Sequence, residues 1–146
     1  MTAIVWRGKT MAADSAYWGG SHCNTIVGHR QKIVRLPDGG LFAGCGRSTD
    51  TDKMARRLIE RGDFKGVEPL KDDGFSSIWL KPDGTAWLIE DDLYPVKIAA
   101  GFAACGAPTT FMLGALYAGA TAEEAVRLAI QHTDGAAGEV QVERIG

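Results

Sequence analysis

The sequence is poor in the features that mark membrane, nucleic-acid-binding and metal-binding proteins. No apolar run among its 146 residues approaches the roughly 20 that a membrane-spanning helix needs. The formal net charge is only -2, so charge does not point to nucleic acid or a membrane surface as partner. The cysteines lack the CxxC or Cys/His spacing typical of a metal site. We therefore expect no nucleic-acid partner, no membrane partner, no metal and no other cofactor.

Cysteine is also too scarce, and odd in number, for a disulfide framework. Cys23, Cys45 and Cys105 predict three free thiols in a reducing cytoplasm, and the sequence shows no charged-then-apolar leader that would direct export. The composition, 45% hydrophobic and 23% charged, is that of an ordinary globular protein. With no internal repeat or linker, residues 1–146 predict a single cytoplasmic domain.

The first half of the chain predicts paired strands and then a helix. Residues 3–6 and 10–13 form one hairpin around Gly8, and residues 15–29 resemble an exposed loop, with short strands as the alternative. Residues 32–36 and 41–44 form a second hairpin around a Pro-Asp-Gly-Gly turn. The spacing of apolar residues then predicts a helix over 50–61, with Ser48 or Thr49 as its N-cap and Gly62 as its end.

The second half predicts a further hairpin, two helices and a final strand. The hairpin joins residues 75–80 to 86–90 through Lys-Pro-Asp-Gly, and 94–99 is a short extended segment. Helices are predicted over 109–118 and, from a capping box at Thr121, to about His132. Strict alternation over 139–145 predicts a half-buried strand. This order of elements suits an α+β fold of two stacked antiparallel sheets with helices covering the outside.

The N-terminal segment carries the clearest chemical signal. Thr2 follows Met1 and is small enough for removal of that methionine, which would expose an amine and a hydroxyl on one residue. Such a residue supplies both a nucleophile and its own general base. Because the first hairpin doubles back, we expect Asp14 to lie alongside Thr2.

Six short motifs, in order, resemble the proteasome β-subunit and HslV-type peptidases of the N-terminal nucleophile hydrolases. They cover nearly the whole chain, and no one of them is specific by itself. The motifs are Thr2-Ala3-Ile4-Val5, Ala12-Ala13-Asp14-Ser15, Lys32-Ile33-Val34-Arg35-Leu36, Ala43-Gly44-Cys45-Gly46, Ala104-Cys105-Gly106 and Asp134-Gly135-Ala136-Ala137-Gly138. The resemblance implies a four-layer αββα sandwich.

The resemblance also implies roles for individual residues. Thr2 would be the nucleophile, Lys32 would lower the pKa of its amine and hydroxyl, and Asp14 would hold Lys32. Two auxiliary serines of the family are replaced here, by Cys105 and by Ala137. The implied catalytic set is Thr2, Asp14, Lys32, Gly46 (whose N–H would serve the oxyanion), Cys105 and Asp134. The implied substrate-binding residues are Ser15, Gly44 and Ser48.

The function implied is a threonine-type endopeptidase acting on peptides or unfolded proteins, in a self-compartmentalised homo-oligomeric ring. The apolar helix predicted over 109–118 fits either core packing or subunit contacts, and whether an ATPase partner docks stays open. Two alternatives also remain. One is a catalytically silent ring subunit, and the other is an amidohydrolase of the same fold group that cleaves a small amide. Cys45 or Cys105 is the competing nucleophile.

Overall fold

The computed structural model describes residues 1–19 and 25–146. In this part of the chain the strands and helices alternate much as the sequence predicted. The strands are β1 (Ala3–Arg7), β2 (Thr10–Ala13), β3 (Ala16–Gly19), β4 (Thr25–His29), β5 (Val34–Arg35), β6 (Leu41–Cys45), β7 (Ser76–Leu80), β8 (Ala86–Glu90), β9 (Val96–Lys97), β10 (Phe102–Gly106) and β11 (Gln141–Arg144). The helices are α1 (Ser48–Arg61), α2 (Thr109–Tyr117) and α3 (Ala122–His132).

The first sheet is antiparallel and has the strand order β10-β1-β2-β11. The predicted N-terminal hairpin forms its centre, with Ile4 paired to Ala13. Strand β10 was not predicted, because its run of small apolar residues has no alternation that would distinguish a strand. It pairs with β1 so that Ala3 lies opposite Gly106. The motif that begins at Thr2 and the motif that ends at Gly106 therefore lie on neighbouring strands of one sheet.

The second sheet, β5-β6-β7-β8-β9, contains both of the other predicted hairpins. Its outer strands are shorter than predicted. Only Val34–Arg35 of the segment 32–36 pairs, and only Val96–Lys97 of the segment 94–99. Edge strands gain hydrogen bonds on one side only, which is consistent with short pairing at both edges.

The segment predicted as an exposed loop over 15–29 is instead partly a strand pair. β3 and β4 form a separate two-stranded antiparallel sheet, with a register shift between Tyr17 and Trp18. The structure has the short strands that were the alternative there, because Tyr17, Trp18, Ile26 and Val27 favour pairing despite the Gly and polar residues around them. The remainder of that prediction, residues 20–24, lies outside the described residues.

Among the described residues, three apolar clusters hold the elements together. The first joins the two sheets, through residues such as Ile4 and Met11 on one and Leu41 and Ile78 on the other. The second packs the first sheet against α2 and α3, and the third packs the second sheet against α1. Burying these side chains contributes roughly 25 cal/mol per Å² of apolar surface removed from water. The α+β class with antiparallel sheets is confirmed.

Helix boundaries follow local chemistry, with one correction. α1 begins at Ser48, and its N-cap position is Arg47, whose side chain makes no capping bond; neither Ser48 nor Thr49 is the cap. α3 begins with the predicted capping box, in which Thr121 and Glu124 each accept from the other's backbone N–H. Within residues 1–19 and 25–146, no helix is long and apolar enough to cross a membrane.

Candidate active site

A buried ion pair lies directly beside the hydroxyl of Thr2. Lys32 Nζ is 2.8 Å from Asp14 Oδ1 and 3.2 Å from Thr2 Oγ1. Asp14 is fully buried and Lys32 is 8% exposed. The same ammonium also donates to the carbonyl oxygen of Met1, at 3.4 Å. A buried cation is thus held within hydrogen-bond reach of the Thr2 hydroxyl.

Asp14 is fixed by backbone groups as well as by Lys32. Its Oδ1 accepts from the N–H of Ala3 at 2.9 Å, and its Oδ2 accepts from the N–H of Ala137 at 3.1 Å. The N–H of Asp14 in turn donates to the carbonyl of Ala3. These bonds satisfy a buried carboxylate, which would otherwise be costly to bury. They also place it next to Thr2, as the hairpin predicted.

Lys32 is oriented from its backbone side by Gln141. The Gln141 Oε1 accepts from the N–H of Lys32 at 2.9 Å, while Gln141 Nε2 donates to the carbonyl oxygens of Arg30 and Asp14. Gln141 is the first residue of β11. The C-terminal strand therefore helps to hold the segment that carries Lys32.

Burial lowers the pKa of Lys32 below its ordinary value of 10.5. Removal from water disfavours the charged ammonium, and this outweighs the stabilising charge and hydrogen bond of Asp14. The nearby charge of Arg30 acts in the same direction as burial. The ammonium group of Lys32 is therefore a stronger acid than that of a surface lysine.

Gly106 fixes the position of Thr2 from the opposite side. Its φ of +109° lies in the region that favours glycine, and a Cβ there would come 1.7 Å from the Thr2 carbonyl oxygen. The same carbonyl accepts from the N–H of Ala107 at 3.0 Å. Only glycine allows β10 to approach the Thr2 backbone this closely.

Two cavities open on either side of Thr2. The first, of about 310 Å³, is lined by three of the residues predicted from sequence, Gly44, Gly46 and Ser48, together with Thr2 and Lys32. A Cβ at Gly44 would lie 3.1 Å from Thr51 Cγ2, so glycine keeps this part of the lining open. The side chains of Arg30 and Asp52 also line it and form an ion pair at 2.5 Å. The lining is mixed, with apolar residues such as Ala16 and Val34 beside polar and charged ones.

The second cavity, of about 660 Å³, lies on the other side of Thr2 and Gly46. Cys105 lines it, as do Cys45 and Ser76. Cys105 is 4% exposed, and its Sγ lies 4.0 Å from the carbonyl oxygen of Ser76. Gly46, which has a φ of +114°, lines both cavities and directly precedes the N-cap of α1.

Two of the predicted residues lie apart from this group. Ser15 is buried, with its Oγ hydrogen-bonded to His29 Nδ1 at 2.9 Å and accepting from the N–H of Glu139 at 2.8 Å. Asp134 is exposed in the turn after α3. The lining described for the two cavities includes neither residue. From the same C-terminal segment it is the Ala137 N–H that reaches the site, through Asp14.

Sequence reasoning missed several groups that shape the site. These are Gln141, the Ala137 backbone, the Arg30–Asp52 pair and Tyr17, whose ring lies under the Arg30 guanidinium at 5.4 Å. The alternation over 139–145 gave no signal for Gln141, because it placed the valines inward, whereas Gln141 is half-buried and Val142 is exposed. No local pattern could have indicated the Ala137 N–H, because any residue type provides one.

Comparison with known proteins shows where this architecture recurs. No protein-family model matches the chain, and no curated protein matches it. Solved structures that share its fold include Thiobacillus denitrificans BPH, the same protein in complex with epoxomicin, and HslV from Trypanosoma brucei. The BPH structures are 17% and 18% identical, with TM-scores of 0.64 and 0.66, and cover 99% of this chain and 98% of their own. HslV is 17% identical, with a TM-score of 0.70 and 98% coverage of both chains. The chain therefore has the fold of HslV and BPH, which confirms the resemblance drawn from its motifs at the level of the fold.

Proposed function

We propose that this chain is a threonine-type endopeptidase of the HslV and proteasome β kind, with Thr2 as its nucleophile. The observation that carries the proposal is the buried Lys32, within hydrogen-bond reach of both the Thr2 hydroxyl and the Asp14 carboxylate. The fold shared with HslV and with an epoxomicin-bound protein supports it. The proposal includes loss of Met1, since only then does Thr2 carry a free amine.

In the proposed reaction, Thr2 Oγ attacks the carbonyl carbon of a peptide bond. Its proton passes to the Thr2 α-amine, whose ordinary pKa near ~8 suits a base at neutral pH. Lys32, held by Asp14, favours the neutral amine and the developing alkoxide. The amine then protonates the leaving group, and water hydrolyses the resulting ester on Thr2.

The Gly46 N–H is the proposed donor to the oxyanion that forms during the attack. Gly46 lines both cavities beside Thr2. Its backbone therefore borders the space in which the carbonyl group of a substrate would bind. Loss of one such donor typically costs ~2.7–4 kcal/mol of barrier. The cavity lined by Gly44 and Ser48 would take the side chain of the residue preceding the cleaved bond. Cys105 and Asp134 stay in the proposed set as supporting residues.

A peptide epoxyketone is the sharpest test, because it needs a hydroxyl and an amine on the same residue. Protein made in bacteria should lack Met1 by intact mass and take up one epoxyketone per chain. Thr2→Ala should lose both labelling and peptide cleavage while keeping its circular dichroism spectrum. Thr2→Ser should keep part of the activity, because its hydroxyl and amine survive. Full cleavage by protein that retains Met1 would contradict the mechanism.

The same experiment separates the alternatives. Labelling that persists in Thr2→Ala but disappears in Cys45→Ala or Cys105→Ala would show that a cysteine thiol is the nucleophile. Folded protein that lacks Met1 yet takes up no label and cleaves no peptide would favour the silent structural subunit. Labelling with cleavage only of small amides would favour an amidohydrolase.

The finer architecture belongs to the same proposal. We infer a four-layer αββα sandwich, since separate apolar clusters lie between the sheets and on the outer face of each. We also propose a homo-oligomeric ring in the cytoplasm that encloses the site and takes peptide or unfolded protein as substrate. An ATPase partner would be compatible with such a ring. Ring formation is the part of this that size measurements can test directly.

A further inference from the structure

Two thiols from facing sheets meet behind the proposed nucleophile. Cys45 ends β6 in the second sheet, and Cys105 lies in β10 of the first. Both belong to the apolar cluster between the sheets. Their sulfurs approach the same carbonyl oxygen, that of Ser76, at 3.2 Å for Cys45 and 4.0 Å for Cys105. The two side chains also share a hydrogen bond, so the sulfurs lie within contact distance of each other.

The pair is buried, but a cavity reaches both cysteines. Cys45 is 8% exposed and Cys105 is 4% exposed, and both line the cavity of about 660 Å³ that opens beside Thr2. A small polar oxidant can therefore reach them from the same side as a substrate.

The two thiols differ in how readily they ionise. A hydrogen bond from Cys105 lowers the pKa of Cys45, and the charges of Lys32 and the chain's N-terminus act in the same direction. That shared hydrogen bond, together with burial, raises the pKa of Cys105. Since the thiolate is the reactive form, Cys45 is the sulfur that reacts first and Cys105 the one that follows.

We propose that Cys45 and Cys105 form a peroxide-sensitive dithiol that closes to a disulfide between the two sheets. The Cys45 thiolate attacks one oxygen of hydrogen peroxide, the O–O bond breaks, and the departing hydroxide takes up a proton to give water. Cys45 is then a sulfenic acid. The Cys105 sulfur, losing its proton, attacks Cys45 Sγ, the S–O bond breaks and a second water leaves. Two thiols are oxidised and one peroxide is reduced.

The disulfide would act on the neighbourhood of Thr2. Cys45 directly precedes Gly46, and Cys105 directly precedes Gly106, which contacts the Thr2 backbone. Joining the two sulfurs draws these segments together and narrows the second cavity. We expect the oxidised protein to cleave peptides more slowly, and this consequence alone depends on the proposed peptidase function.

The test uses the full chain, reduced and then treated with hydrogen peroxide under native conditions. Of its three cysteines, two should become untitratable, with a mass loss of two hydrogen atoms. Proteolysis under non-reducing conditions should yield one cross-linked pair containing Cys45 and Cys105, and a reductant should reverse it. If all three thiols remain, if the link involves Cys23 or a second chain, or if Cys45 oxidises further without a link, the proposal is overturned.

Matched variants keep the result interpretable. Cys23→Ser leaves both thiols of the pair in place and should oxidise as the wild type does. Cys105→Ala should stop at the Cys45 sulfenic acid, which a 1,3-dione reagent traps, whereas Cys45→Ala should give no trapped product at position 105. A disulfide that forms in protein with no peptidase activity would leave this inference standing and count against the proposed function.

Discussion

At the scale of single residues, the site depends on one buried charge pair. The Lys32 and Asp14 side chains are 6% and 0% exposed, so each charge relies on the other and on backbone groups rather than on water. Buried pairs are seldom a net gain over apolar residues, but breaking one leaves an uncompensated charge. This pair is therefore better explained by the reaction proposed for Thr2 than by stability.

We expect Lys32→Ala and Asp14→Ala each to reduce peptide cleavage at least tenfold and to destabilise the fold. Removing one member of a buried pair typically costs ~3–5 kcal/mol. Urea unfolding and a fluorogenic peptide assay measure the two effects. Glu143→Ala is the matched control, because it breaks the exposed pair with Arg35, where ~0–1 kcal/mol is expected. Equal stability losses in Asp14→Ala and Glu143→Ala would contradict the buried-pair argument.

The lowered pKa of Lys32 predicts that the free energy of unfolding depends on pH. Between that lowered pKa and 10.5, the unfolded chain binds a proton at Lys32 that the folded chain does not. Stability therefore rises with pH through this window, because the cost of burying the charge disappears once both states are neutral. Below the window the cost is fully present.

The measurement is urea unfolding of the wild type and of Lys32→Met at a series of alkaline pH values. The wild type should gain stability relative to Lys32→Met as pH rises towards 10.5. Other groups titrate in both proteins, so only the difference between the two curves is informative. A difference that stays constant with pH would show that the pKa of Lys32 is not lowered in the folded protein.

At the scale of elements, β10 decides where Thr2 sits. The strand pairs with β1 up to Ala3 opposite Gly106, and the chain then turns into α2. Gly106 is the point of closest approach, since a Cβ there would lie 1.7 Å from the Thr2 carbonyl oxygen. The strand cannot keep this register with any other residue type.

Gly106→Ala should therefore displace Thr2 or detach the end of β10. We expect a loss of epoxyketone labelling and of peptide cleavage, together with destabilisation larger than the ~1 kcal/mol typical of point mutants. Gly119→Ala is the control, because its φ of +103° is nearly the same but a Cβ would meet nothing within 4 Å. If the two variants lose similar stability and activity, backbone strain at a positive φ accounts for the effect, and the close approach of Gly106 to Thr2 does not.

At the scale of the whole molecule, exposed apolar side chains indicate how copies could associate. Tyr117, at the end of α2, is 78% exposed, and Phe111 on the same helix is 39% exposed. Tyr117 also packs edge-on against Phe102, with ring centroids 5.0 Å apart. Exposed aromatic residues are common at protein interfaces.

The proposed ring predicts a native mass several times that of the chain by light scattering. Tyr117→Lys should lower that mass by placing a charge in the contact, whereas Tyr94→Lys, at a residue 71% exposed beyond β8, should not. A wild-type protein that is monomeric at micromolar concentration would contradict the ring. A ring unaffected by Tyr117→Lys would place the contact elsewhere.

The sequence by itself determined what depends on neighbours along the chain. The N-terminal hairpin, the hairpin around residues 81–84, α3 with its capping box and the Gly62 end of α1 all follow from turn and capping chemistry within a few residues. The order of motifs also predicted the fold shared with HslV. The grouping of Thr2, Asp14 and Lys32 was predicted through that resemblance, because local pattern placed only Asp14 near Thr2.

Only the tertiary structure decided which distant groups meet. The Ala137 N–H on Asp14, Gln141 on Lys32 and the Cys45–Cys105 pair all join segments far apart in sequence. So does β10, whose small apolar residues become a strand only because β1 offers a free edge and Gly106 fits against Thr2. Such contacts depend on how two sheets stack and on where a chain end returns, and no pattern within a few residues encodes that.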